Sequence, residues 1–93
     1  MPFATLIGID GLEGTAERVT ARLSWAETRC TVGGAMHGGA LMALADTAGA
    51  YCAFLNLPAG SSGTTTIESK TNFLRAVRAG SVRAVSRPLH AGR

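Results

Sequence analysis

Hydrophobic and polar positions change rhythm several times along this 93-residue chain. From Thr15 to Trp25 they alternate, with Val19, Ala21, Leu23 and Trp25 on one side and Arg18, Thr20, Arg22 and Ser24 on the other. A period of two predicts a half-buried strand. Ala26 to Met36 has no clear period and contains Gly33-Gly34, which predicts a loop. From Gly38 or Gly39 to about Leu55, Ala and Leu dominate and apolar residues occupy nearly every side. That distribution predicts a helix buried all round, and Pro58 and Gly60 follow as stop signals. A loop over 58–63 comes next, and Thr64 to Leu74 alternates well enough for a second strand. Arg75 to Gly80 turns, and Ser81 to Leu89 reads as a third strand. Pro88 has no N–H to donate, so that strand ends or bulges there. Residues 2–13 predict one helical turn leading into a loop.

This order gives an α+β fold in which an antiparallel sheet wraps a long central helix. Three strands are too few to surround so apolar a helix. Either another subunit completes the sheet, or the chain ends before the domain does. With no internal repeat and no linker, residues 1–93 are expected to form one domain, incomplete at the C-terminus.

Composition sharpens the picture. The chain is 46% hydrophobic and 16% charged, against roughly 25% charged for an average domain. So little charge suggests a surface partly covered by another subunit. The net charge of +3 is unevenly placed: residues 1–67 carry −2 and residues 68–93 carry +5. A basic third can face nucleic acid, anionic lipid or a phosphate-bearing small molecule, or simply be solvated. No aromatic interleaving and no known motif accompany it, so no nucleic-acid partner is expected. Cys30 and Cys52 form no CxxC pair and predict buried thiols in a reducing compartment. The N-terminus lacks the positive start of a signal peptide, and Asp46 interrupts the one long apolar run. A cytoplasmic protein without a membrane span is therefore expected.

Asp46 is the one charged side chain between Gly38 and Ile67. An ionised carboxylate in dry surroundings is usually paired, neutralised or used. Hydroxyls of Thr or Ser could equally satisfy it as a structural group. Before the helix stands His37-Gly38-Gly39, whose backbone N–H groups can bind developing negative charge. An acid and an anion site on one helix suggest hydrolysis of an acyl compound. The two are eight residues apart, about 12 Å along a straight helix, so one helix cannot aim both at one atom. Two antiparallel copies related by a two-fold axis can, which predicts a site shared across a dimer. His37 on its own reads as a loop anchor or N-terminal hydrogen-bonding residue. His37 and His90 lack the spacing and companions of a metal site. No Gly-Lys-Ser/Thr follows the glycines, so this is not a Walker loop.

The stretches GGAMHGGALMALADTAGAYCAF and TTTIESKTNFLRAVRAGSVRAVSRPLHAGR resemble the hot-dog-fold acyl-CoA thioesterases of the phenylacetic-acid-degradation (PaaI) type, over roughly residues 14–93. The resemblance implies a dimer, often paired into a tetramer, and two further strands after Arg93. It implies Asp46 as general base or nucleophile, and Gly38 as the backbone donor to the thioester carbonyl. His37 would shape the loop or touch the thioester, and Thr66 would stand where related enzymes orient water. Asn72 and Phe73 would pack or bond internally. Arg75, Arg78 and Arg93 are candidates for the coenzyme A phosphates, by charge and loop placement. Coenzyme A is then part of the substrate, and no cofactor is expected. Many relatives carry Asn where this chain has Thr31, six residues before the histidine. The other readings are a non-catalytic acyl-CoA-binding or ligand-sensing module, and an inactive fragment. Cys52 lies in the helix without a nearby His and reads as core, as do Trp25, Phe54 and Phe73.

Overall fold

In the computed structural model, which describes residues 1–91, a three-stranded antiparallel sheet packs against one long helix. The elements are α1 (Pro2–Ile7), β1 (Ile9–Thr15), β2 (Arg18–Ser24), a 3-10 turn (Glu27–Arg29), α2 (Gly38–Leu55) and β3 (Ser81–Ser86), in sheet order β1-β2-β3. The central strand is the one whose alternation was clearest. Val19, Ala21 and Leu23 are at most 1% exposed and meet Leu44, Ala48 and Cys52 of α2. Those three helix positions are spaced by one turn each, so they form a single stripe. Fully burying side chains such as Leu23 and Leu44 stabilises the fold by roughly 1.5–3 kcal/mol each.

Four expectations need correction. Residues 9–13 are not a loop but belong to strand β1. The register slips between Asp10 and Glu13, where Gly11 and Leu12 together oppose Ala21. Gly11 takes φ 64°, the left-handed conformation that such a bulge uses. The extra residue keeps both Ile9 and Leu12 half-buried, three apart instead of two, which hides the strand from a period-two reading. Second, Thr64 to Leu74 runs without a ladder partner and is not a strand; Ile67 is 97% exposed. Its β-branched residues suit a sheet, but strand stability comes from cross-strand pairs that this segment lacks. Third, α2 is buried on one stripe only, because three strands cover only one of its sides; Ala45, Asp46, Ala53 and Phe54 are exposed. Fourth, Phe54 and Phe73 lie largely outside the core, whereas Trp25 packs against it and Cys52 is buried in it.

The third strand stops at Ser86, two residues before Pro88, and pairs with β2 along its whole length. Arg22 and Arg83 are directly opposed across this pairing. Asp10 offsets that repulsion through an ion pair with Arg22 at 2.9 Å. The Arg22 hydrogen bond, and then its charge, hold the exposed Asp10 carboxyl below the usual carboxylate range. A depressed carboxylate stabilises the fold above its ordinary pKa, and that contribution fades as pH falls through its folded value.

α2 is long and apolar enough to cross a membrane, with mean hydropathy 1.3 over 18 residues. Its far end is tied down by Asn56, whose side-chain amide donates to the carbonyls of Ala16 (2.7 Å) and Cys52 (2.8 Å). One amide thus fastens the helix end to the β1–β2 turn. Asn56→Ala is expected to lower stability by ~1–2 kcal/mol, since two carbonyls lose their donor. Urea denaturation checks this; an unchanged midpoint would show the fastening to be idle.

Candidate functional site

The start of α2 is positioned by a loop tied on several sides. Cys30 and Met36 form an isolated antiparallel bridge, and Thr31 N–H donates to the Ala35 carbonyl. Between them Gly33 and Gly34 take φ values of 91° and 80°, a reversal that side-chain-bearing residues rarely adopt. Trp25 Nε1 donates to the Gly34 carbonyl and Arg78 Nη1 to the Gly33 carbonyl. Met36 N–H reaches the Val77 carbonyl, and His37 N–H the carbonyl of Arg29. The backbone therefore enters the helix at a fixed angle.

His37 is the N-cap. Its Nδ1 accepts the Gly39 N–H at 2.8 Å, while its carbonyl accepts those of Ala40 and Leu41. While it accepts this bond, Nδ1 carries no proton. Three of the first four helical N–H groups are thereby occupied. Gly38 N–H donates to no acceptor among the described residues. It is left as the open donor at the positive end of the helix dipole. A Cβ on Gly38 would stand 3.2 Å from the Phe73 ring, and one on Gly39 2.9 Å from the His37 ring. Gly39 is thus required by the cap itself.

Asp46 lies two turns further along, on the exposed side of α2. Thr66 Oγ1 donates to its Oδ1 at 2.9 Å. The carboxylate and hydroxyl are part of an open groove of about 280 Å³ between α2 and the extended segment. Small residues, Gly49, Ala50 and Ala53, leave the helix side of it low. Glu68 lines the same groove and was not singled out from sequence. The alternation of Thr64, Thr66 and Glu68 was the available signal.

Asp46 and Thr66 are thus brought together, and His37 and Gly38 form a second centre at the helix start. Eight residues of one helix separate the two, about 12 Å at 1.5 Å per residue. Among the phosphate candidates, Arg75 is exposed and forms no salt bridge among the described residues. Arg78 is engaged as a brace on the Gly33 carbonyl, a role that charge counting cannot reveal. Arg93 lies outside the described residues. Phe73 packs on Gly38, and Asn72 Oδ1 accepts from Lys70 at 3.4 Å. Thr31 is exposed. No cluster of three potential metal ligands occurs among the described residues.

Arg29 is a site-building residue that sequence reasoning missed. Its Nε donates to the Ile7 carbonyl and its Nη1 to the Ser24 carbonyl at 3.0 Å. The guanidinium lies so close to Gly8 that any Cβ there would collide with it.

Comparison with known proteins points one way. Residues 33–93 match the thioesterase superfamily. ComA2 of Bacillus subtilis (strain 168) is 34% identical over 87 residues, covering 94% of this chain and 69% of that protein. Among solved structures, thioesterase HI1161 from Haemophilus influenzae superposes with a TM-score of 0.88 at 28% identity. That match covers 98% of this chain and 63% of the other. The PaaI protein from the E. coli phenylacetic acid degradation operon gives 0.83 at 26% identity, covering 100% of this chain and 65% of that one.

Proposed function

Because this chain belongs to the thioesterase superfamily and has its hot-dog fold, we propose that it hydrolyses acyl-CoA thioesters to free acid and coenzyme A. The active site is shared, with Asp46 of one protomer facing Gly38 of the other. The observation that carries this reading is the sorting of donors at the helix start. His37 occupies the neighbouring N–H groups and leaves Gly38 N–H open.

Asp46 takes a proton from water as the water oxygen bonds to the thioester carbon. The Gly38 N–H of the partner protomer receives the negative charge that develops on the carbonyl oxygen. Collapse of the tetrahedral intermediate breaks the C–S bond, and the thiolate takes the proton back from Asp46. Thr66 occupies Oδ1 of Asp46, which leaves Oδ2 for the water. Heavy oxygen from water appearing in the Asp46 carboxyl in a single turnover would mark direct attack by Asp46 instead.

The reading requires a two-fold arrangement, since the two centres lie on one helix about 12 Å apart and cannot both reach one carbonyl within one protomer. A homodimer, or a pair of dimers, is therefore part of the reading. Arg75 remains available for coenzyme A phosphates. The free thiols of Cys30 and Cys52 suit a reducing, cytoplasmic setting.

The test is thiol release from a panel of acyl-CoAs, with molar mass measured by light scattering on the same sample. Turnover by a dimer or tetramer is the expected result. Tight binding without turnover would move the protein to the ligand-binding class, and an active monomer would overturn the shared site.

A further inference from the structure

We infer that the groove between α1 and the first turns of α2 seats the acyl group of the substrate, an apolar chain or aryl group of modest size. The inference rests on the acyl-CoA reading above and adds where the acyl part lies. The groove encloses about 540 Å³, within the usual range for small-molecule sites. Phe3, Leu6 and Ile7 of α1 form one wall, and Ala40 and Ala43 of α2 form the floor. His37 and Gly39 line it as well, so it is continuous with the helix start that is to hold the thioester carbonyl.

Two further observations favour an apolar ligand here. Phe3 is 60% and Leu6 79% exposed, although both sit on a short helix whose Ala4 is buried against the rest of the chain. The wall is also fixed rather than adrift. Gly8 closes α1 in a left-handed cap, and Arg29 grips the Ile7 carbonyl directly before it. The alanines of the floor matter equally, because larger side chains at 40 and 43 would fill the space the acyl group is to occupy.

The experiment measures affinity for non-hydrolysable S-alkyl-CoA thioethers from ethyl to octyl, by titration calorimetry on the full chain. Affinity should rise about fourfold per methylene until the groove is filled. In Phe3→Ala/Leu6→Ala that rise should be largely lost. Ala40→Val, which raises the floor, should weaken the longest thioethers first. A chain-length dependence that is flat in the wild type, or unchanged in both variants, would overturn the proposal. So would a variant that alters self-association but not the dependence, which would mean a second copy of the chain covers the groove. Because the readout needs no turnover, failure of hydrolysis and failure of the groove are separate results.

Discussion

Asp46→Asn is expected to reduce thiol release by at least a hundredfold while leaving the fold intact. The substitution keeps the size of the side chain and an oxygen able to accept from Thr66 Oγ1, so the 2.9 Å contact has a successor. It removes the lone basic group of the groove other than Glu68. General-base assistance typically contributes about 10²–10⁴-fold. Asp46 is exposed in the described chain, so no core packing is disturbed. The checks are the rate with the best acyl-CoA and a urea midpoint within experimental error of wild type. Near-normal turnover would remove Asp46 from the mechanism and turn attention to Glu68.

The second large effect is expected at Gly38, where two substitutions separate the backbone donor from the space around it. Gly38 opens α2 as its first helical residue, the position at which proline is best tolerated. His37 before it has φ −61° and ψ 133°, the extended geometry that a following proline requires. Gly38→Pro therefore removes the open N–H while keeping a helix start. Gly38→Ala keeps the N–H and places a Cβ against the Phe73 ring, as proline also would. Loss of one oxyanion donor costs about 10²–10³-fold in kcat. That loss is expected for proline and not for alanine; equal rates for the two would exclude the Gly38 N–H as the donor. Mixing the Asp46→Asn and Gly38→Pro proteins then tests the shared site. A heterodimer has one site with both defects and one with neither, so random exchange should restore ~25% of wild-type activity. No recovery would place the site within one protomer.

Much of this was legible in the sequence, and the failures have physical causes. β2 was visible because one of its faces is entirely buried, which forces strict alternation from Val19 to Leu23. β1 was not, because a bulge at Gly11 and Leu12 shifts its inward residues out of phase. Thr64 to Leu74 has the composition of a strand, yet pairing depends on a neighbour that no local pattern encodes. Asp46 stood out by isolation in an apolar run, whereas Thr66 came only from the family resemblance. Which N–H would remain open at the helix start could not be read from His37-Gly38-Gly39. It depends on the ring of His37 turning back onto Gly39. Arg78 was picked out by its charge and loop placement, whereas its hydrogen bond to the Gly33 carbonyl could not be read from the sequence.

Arg29 grips α1 through a main-chain oxygen, that of Ile7, and receives the His37 N–H on its own carbonyl. Neither attachment depends on which side chains α1 displays. The inner surface of that short helix is therefore free to drift, residue by residue, while the backbone it rides on stays registered to the start of α2. If the groove beside α1 seats the acyl group as proposed, a lineage built this way can change the acyl groups it accepts without disturbing the apparatus that cleaves them.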